Sequence, residues 1–222
     1  MLRIVAEASE RGAGRPRDPA IDTAVLDATL AVLDEGGYRH LSLEAVARRA
    51  GTSKPALYRR WPTRQHLVLA ALASQLGQLT TADTGCTLCD LADGIKVFVT
   101  AFTRMPPDVL GPLLADCAAD PELHQAFMTA LFDPPRDAVE QILDRAFARG
   151  DLRDDLDHDL ALDLLASLVH YRALFQHSPT TDTDIEQAVH TLLRGMASDY
   201  QRLAEISRQR ETGDPAFHSR HS

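Results

Sequence analysis

The sequence is poor in aromatic residues and cysteine, and it contains no long apolar segment. Only 5% of its 222 residues are aromatic, whereas 45% are hydrophobic, which is enough apolar material to bury a core in one or two domains. The longest uninterrupted apolar run, Leu67 to Ala73, is far shorter than the roughly 20 residues that a membrane-spanning helix needs. The N-terminus also lacks the apolar region of a signal peptide. We therefore expect a soluble, cytoplasmic protein with no membrane partner.

Three cysteines are too few, and odd in number, for the framework of a secreted disulfide-rich protein. We expect them to be reduced thiols. Two of them, in Cys86-Thr-Leu-Cys89, have the spacing of a zinc-binding or redox-active pair. Without a second pair, only Cys117 and scattered histidines would complete a metal site, so we predict no metal, no cofactor and no catalytic residue. A thiol redox or metal sensor, or a thiol oxidoreductase, stays the alternative function of this pair.

The net charge of −9 argues at first sight against a nucleic-acid partner, but the charge is unevenly distributed. Residues 1–66 carry 11 positive and 8 negative side chains, whereas residues 67–222 carry 12 and 24. Between Gly36 and His66, seven Lys and Arg residues accompany a single acidic residue, Glu44. A compact basic segment attached to an acidic body is expected where one end of a protein meets a polyanion.

Apolar residues recur at helical spacing along almost the whole chain, and no stretch alternates with the period of a strand. The pattern predicts an all-α protein. Stop signals such as Gly36-Gly37 and cap residues such as Ser42 separate the helices, and Asp133-Pro134-Pro135 predicts a break or kink in the middle of the body. The helices are expected at about residues 20–35, 43–50, 54–61, 64–79, 87–104, 108–118, 121–132, 134–149, 157–176 and 183–197.

Two of the predicted helices are short and flank a tight turn at Gly51-Thr52. The small residues Ala47 and Ala50 let the two helices approach closely, and Gly51 permits a left-handed turn. Leu57 and Trp61, four residues apart, give the second helix an inward face. This pattern is typical of the helix-turn-helix, which places its second helix in the major groove. The alternative is an ordinary helical hairpin whose arginines are merely solvated.

The segment from Leu41 to Arg64, LSLEAVARRAGTSKPALYRRWPTR, resembles the DNA-binding motif of the TetR (tetracycline-repressor-like) family of bacterial transcription regulators. With the preceding helix, the resemblance covers about residues 19–70. It implies that Lys54, Pro55 and Ala56 face base edges, while flanking residues hold the DNA backbone. Arg64 stands where the family usually has Lys, and a guanidinium also binds phosphate. The DNA-contacting residues implied in this way are Ser42, Thr52, Ser53, Lys54, Pro55, Ala56, Tyr58, Arg59, Thr63 and Arg64.

The basic segment Gly14-Arg15-Pro16-Arg17 precedes this unit. Its extended, cationic character suits an arm that lies in a minor groove. A disordered basic tail without a defined DNA contact is the alternative.

The acidic body more loosely resembles a TetR C-terminal domain, which implies a homodimer whose last helices form an interface bundle. Two apolar stripes are the candidates for this interface, although each could instead pack within its own subunit. The interface residues predicted are Leu160, Leu164, Leu168, Tyr171, Phe175, Ile185, Val189, Leu192 and Met196.

The resemblance also implies a small-molecule effector enclosed by the middle helices. Aromatic and thioether side chains are concentrated there, and such residues line adaptable apolar sites as well as cores. The ligand-binding residues predicted are Phe98, Phe102, Met105, Leu114, Cys117, Phe127, Met128, Leu131 and His170.

The sequence thus predicts a ligand-responsive transcriptional regulator, most simply a repressor that a small molecule releases from its operator. A dimer of this kind binds a pseudo-palindromic DNA site with its recognition helices about one helical turn apart. Along the chain we expect a mobile arm (1–18), a helix-turn-helix domain (19–66), an effector-binding and dimerisation domain (67–210) and a mobile tail (211–222).

Overall fold

Helices connected by loops make up the part of the chain that the computed structural model describes, residues 19–103, 105 and 108–211. One isolated antiparallel bridge joins Leu152 and Ala197. The described part of the chain contains no strand, so the all-α prediction is confirmed. A 3-10 turn at Tyr38–His40 and a π-helical stretch at Met128–Phe132 interrupt the α-helices. The α-helices are α1 (Pro19–Gly36), α2 (Leu43–Arg49), α3 (Lys54–Tyr58), α4 (Arg64–Leu76), α5 (Thr87–Thr103), α6 (Leu110–Ala118), α7 (Pro121–Phe127), α8 (Asp133–Ala148), α9 (His158–Phe175), α10 (Asp182–Met196) and α11 (Tyr200–Glu211).

Side-chain caps explain why many helices begin where the sequence predicts. The Ser42 hydroxyl accepts the N–H of Ala45, and the Thr63 hydroxyl accepts that of His66. Asp120 and Asp157 cap α7 and α9 in the same way. Each cap satisfies a backbone donor that the first turn of a helix leaves without an intrahelical partner.

Helices α3 and α4 each end three residues before the expected position. The recognition-helix candidate α3 ends at Tyr58 rather than Trp61, although the Trp61 N–H still donates to the Leu57 carbonyl at 2.8 Å. Helix α4 ends at Leu76 instead of Leu79 because Gly77 adopts a φ of 63°, a left-handed conformation that ends a helix.

The expected break at Asp133-Pro134-Pro135 takes a different form. Both prolines lie in the first turn of α8, where their missing N–H groups cost little. The irregularity precedes them as the π-helical stretch Met128–Phe132. Helix α11 lies beyond the last predicted helix.

The buried side chains of the described residues form two hydrophobic cores. The first core joins α1–α4 to residues of α6, α7 and the π-helical stretch, including Leu113, Cys117 and Leu131. The second core joins α5 to α8–α11, with Ile95, Ile142 and others completely buried. The DNA-binding candidate therefore shares one core with helices of the predicted effector domain.

No helix in the described segments is both long and apolar enough to cross a bilayer. The predicted arm at residues 1–18, including Arg15 and Arg17, lies outside the described residues, and so do residues 212–222 of the predicted tail.

Candidate nucleic-acid interface

Helices α2 and α3 form a helix-turn-helix around Gly51. Gly51 has a φ of 64°, which glycine adopts without strain, and the Thr52 N–H donates to the Ala47 carbonyl at 2.9 Å. Leu57 is 2% exposed and fixes α3 against the first core. Trp61 packs against the same core and is half-buried. The turn and the buried Leu57 thus hold the opposite side of α3 toward solvent.

The predicted DNA-contacting residues are mostly accessible. Ser53, Pro55, Tyr58 and Arg59 are exposed, whereas Ser42, Thr52, Lys54, Thr63 and Arg64 are partly exposed. The prediction that Ala56 faces base edges is wrong, because this residue is only 8% exposed and faces inward beside Leu57. A helix turns 100° per residue, so the exposed Pro55 and the exposed Tyr58 share one side while Ala56 lies on another.

Lys54 forms an ion pair with Glu44 of α2. The hydrogen bond that Lys54 donates to Glu44 within this pair is the main cause that raises the pKa of Lys54 and lowers the pKa of Glu44. Both side chains are substantially exposed, at 42% and 65%, so exchanging this pair for another anion costs little. The motif contains no signal for this pairing, although Glu44 is the single acidic residue between Gly36 and His66.

Arg64 is held by a carboxylate of the other domain. Its Nη2 lies 3.1 Å from Asp116 Oδ2 of α6, and its guanidinium stacks over the Tyr38 ring at 4.5 Å. The Tyr38 hydroxyl donates to the same oxygen at 2.7 Å, and Gln65 Nε2 lies 3.3 Å from it. Burial, followed by this hydrogen bond, raises the pKa of Tyr38. The hydrogen bond from Tyr38 is the main cause that lowers the pKa of Asp116.

Two cavities in the helical body are bordered by both α5 and α9. The first cavity, about 380 Å³, lies between α5, α6 and α9, and Phe102, Leu110 and Arg172 are among its lining residues. The second cavity, about 260 Å³, lies between α5, α8 and α9 and is lined by Phe98, Phe132, Arg136, Leu162, Asp163, Ala166 and His170.

The structure does not bring the nine predicted ligand-binding residues together. Phe102 and Met105 line the first cavity, and Phe98 and His170 line the second. The others pack in or against the first core and line neither of these cavities, namely Leu114, Cys117, Phe127, Met128 and Leu131. The reason is that α6 and α7 turn their apolar faces toward α4.

The two predicted interface stripes also differ in exposure. On α9, Leu160, Leu164, Tyr171 and Phe175 are 42–67% exposed, and Leu168 is partly exposed. On α10, the interface prediction is wrong for three residues that are at most 4% exposed and lie in the second core of their own subunit: Ile185, Val189 and Met196. Leu192 is partly buried against that core.

The cysteine pair overturns the expectation of reduced thiols. Cys86 and Cys89 form a disulfide at the start of α5, whereas Cys117 is a buried free thiol whose pKa is raised by burial. The βαβ context that a thiol oxidoreductase needs is missing from the described residues around this pair, which lies at the start of a helix.

One group of side chains has metal-ligating chemistry. Glu140, His158 and Asp159 each place a ligand atom within 4.8 Å of the others. Asp159 is paired with Arg136 and His158 with Asp144, however. The Arg136 guanidinium thus already engages one of the three candidate ligands.

Comparison with known proteins agrees with this architecture. The family described as "Bacterial regulatory proteins, tetR family" matches residues 25–71, and the family "Tetracyclin repressor-like, C-terminal domain" matches residues 81–211.

Individual relatives match over most of their length. The HTH-type transcriptional regulator YdeS of Bacillus subtilis is 26% identical over 82% of this chain and 93% of its own. The DNA-binding transcriptional repressor TetR of Mycobacteroides abscessus is 30% identical over 77% of this chain and 90% of its own. The crystal structure of the TetR family transcription regulator SCO0332 superposes with a TM-score of 0.62 at 29% identity, covering 79% of this chain and 97% of that one. The chain therefore belongs to the TetR family of helix-turn-helix transcriptional regulators, a family of DNA-binding proteins rather than enzymes.

Proposed function

We propose that the protein is a homodimeric repressor that binds a pseudo-palindromic operator through α3 and leaves it when a small molecule enters the helical body. The observation that carries this proposal is the outward face of α3. Pro55, Tyr58 and Arg59 are exposed there, while Ala56 and Leu57 anchor the helix to the core. Pro55 offers no hydrogen bond to a base, so shape and methyl contacts contribute to recognition at this position.

Helix α9 supports the dimer. Of the six large apolar side chains that are exposed in the described part of the chain, five lie on α9: Leu160, Leu164, Tyr171, Leu174 and Phe175. Such a concentration of exposed apolar side chains marks an interaction surface. A second copy of the same helix covers it with twofold symmetry, the commonest arrangement of soluble homo-oligomers.

Helix α6 supports the coupling between effector and DNA. Leu110 at its start lines the first cavity, and Asp116 two turns later holds Arg64 and Tyr38 of the DNA-binding unit. A ligand that prefers a different position of α6 therefore also changes the position of α4. Such differential binding shifts the population away from the DNA-competent state.

The direct test is DNA binding by the full chain. A duplex selected from a randomised library is titrated by fluorescence anisotropy over a range of salt concentrations. Arg64→Ala is expected to weaken binding to all sequences and to lower the slope of log affinity against log salt by about one. Arg202→Ala on α11, where the side chain is 62% exposed, removes the same charge and is the matched control. Failure of the purified chain to bind any duplex at low ionic strength would refute the proposal.

The disulfide supports a second candidate, a redox-responsive version of the same regulator. Cys86–Cys89 lies at the N-terminus of α5, the helix that packs in the second core and lines both cavities. Oxidised and reduced protein are then expected to differ in DNA affinity, and Cys86→Ser is expected to lose that difference. Equal affinity of oxidised and reduced protein excludes this candidate.

A further inference from the structure

His170 of α9 lies inside a cage of phenylalanine rings. The ring centroids of Phe98, Phe102 and Phe132 lie 5.5, 4.7 and 5.5 Å from that of the imidazole. Phe98 and Phe102 meet it edge-on, whereas Phe132 stacks on it at an interplanar angle of 21°. Three rings from two other elements thus converge on a single polar side chain.

The imidazole has an unsatisfied polar atom in this apolar setting. Nε2 of His170 is buried and has no hydrogen-bond partner among the described residues. Burial outweighs the nearby Asp163 carboxylate and lowers the pKa of His170, which favours the neutral ring. A buried polar atom without a partner in the protein is ordinarily bound to an ordered water, an ion or another ligand.

The second cavity opens beside this ring. Its apolar walls include Phe98, Phe132 and Leu162, and its volume of about 260 Å³ is below the range of sites for drug-sized ligands. Arg136 also lines the cavity, but its guanidinium lies 3.5 Å from Asp163 and 3.2 Å from Asp159. The two carboxylates engage the guanidinium, so it is not free to hold an anion, and at 81% and 65% exposure their residual negative charge is screened by solvent. The apolar walls therefore suit an uncharged molecule.

The local backbone gives independent support for a binding site. Phe132, which stacks on His170, is the last residue of the π-helical stretch Met128–Phe132. π-Helical turns are rare and recur at functional sites, where the extra residue redirects a side chain.

We propose that the second cavity binds a small, neutral, planar aromatic molecule with one hydroxyl or amine group, which forms a hydrogen bond with His170 Nε2. This inference rests on the proposed function, since the molecule is the effector class of that regulator. Phe102 provides the connection, because it contacts His170 on one side and lines the first cavity together with Leu110 of α6 on the other.

Phenol and toluene are matched probes, since they have nearly the same shape but only phenol carries a hydroxyl group. Calorimetric titration of the full chain is expected to give a dissociation constant for phenol about five- to tenfold lower than that for toluene, the usual effect of one hydrogen bond to an otherwise unpaired buried atom. With ¹⁵N-labelled histidine, phenol is expected to shift the Nε2 resonance of His170 in the unmodified protein, and toluene is not.

His170→Phe replaces the imidazole with another ring and is expected to abolish the preference for phenol. His190→Phe is the matched control, because His190 is also partly buried but lies on α10 and contacts Tyr200. Equal binding of the two probes to the unmodified protein, no binding of either at millimolar concentration, or a preference that survives His170→Phe would overturn the inference. DNA binding without a probe is measured in parallel, and only its absence counts against the proposed function.

Discussion

At the scale of single residues, two of the predicted DNA-contacting cations already have an acidic partner. Lys54 pairs with Glu44, and Arg64 pairs with Asp116. The motif predicts which side chains are cationic, but it contains no signal for Asp116, which lies 52 residues after Arg64. Contacts between such distant positions depend on how the helices pack. A single sequence therefore predicts which side chains are cationic, and it does not predict which carboxylates they pair with.

The Arg64–Asp116 pair gives a prediction with a definite sign. Asp116→Asn removes the charge that competes with DNA phosphate for Arg64, so the affinity of the ligand-free protein for DNA is expected to rise by a factor of about two to five, the range of a partly exposed ion pair. Salt-dependent anisotropy titrations measure this change. Asp93→Asn, which breaks the exposed pair with Lys96 on α5, is the control, and a loss of affinity in Asp116→Asn would contradict the competition.

At the scale of elements, helix periodicity and caps predicted most of the helices, because both are local properties of the sequence. Helix α11 was missed because it is rich in charged and polar residues, and only Leu203 and Ser207 of its described side chains are buried. The π-helical stretch Met128–Phe132 was missed for a different reason. An apolar pattern with a period near 3.6 residues cannot indicate a local insertion of one residue.

The packing of α5 on α8 depends on a glycine. A Cβ atom at Gly94 would lie 2.8 Å from Ile142 Cδ1 and 3.5 Å from both methyl groups of Val139. Gly94→Ala is therefore expected to lower the free energy of unfolding by about 1–3 kcal/mol, measured by urea denaturation. Gly195→Ala on α10 is the matched control, because a Cβ there meets no atom within 4 Å, and it is expected to raise stability by up to about 1 kcal/mol. Equal effects of the two variants would contradict close packing at Gly94.

The link between α9 and α10 gives a pH dependence. Arg172 Nη1 and Nη2 lie 2.6 and 3.2 Å from the carboxylate oxygens of Asp184, and this pairing is the main cause that holds the pKa of Asp184 well below its ordinary value. The charged carboxylate therefore stabilises the fold above the unfolded-state pKa of about 3.9, and this contribution is lost as the pH falls toward the lower folded-state pKa.

Asp184→Asn is accordingly expected to lower the Tm at pH 7, and its difference from the unmodified protein is expected to shrink below about pH 4. Thermal melts followed by circular dichroism over this range measure the effect. Asp182→Asn in the same helical turn is the control. A Tm difference that stays constant down to pH 2 would argue against the linkage.

At the scale of the whole molecule, the candidate interfaces differ in how far the sequence could predict them. Both the α9 stripe and the α10 stripe are apolar in sequence, but their large exposed apolar side chains lie on the α9 stripe. Periodicity shows that a helix has an apolar face, and it does not show whether that face is covered by the same chain or by a second one. For the same reason, the predicted ligand-binding residues divide between the two cavities and the first core.

A charge placed on the exposed apolar surface of α9 is expected to change the oligomeric state. Leu164→Lys places a charge in the middle of this apolar surface, so the protein is expected to become monomeric and to bind its operator more weakly. Light scattering coupled to size-exclusion chromatography measures the mass. Gln141→Lys on the exposed side of α8 adds the same charge elsewhere, and a dimer that persists in Leu164→Lys would place the subunit contact elsewhere.

The first core also determines how this regulator can be divided. Because α6 and α7 complete the core of α1–α4, a fragment cut at the loop after α4 would expose Leu69, Leu72 and Leu76 to water. Helices α1–α4 are therefore not expected to fold as an independent DNA-binding domain. A chimaera that joins α1–α4 to the effector domain of another protein has to include α6 and α7, or an equivalent apolar surface that covers the same side chains.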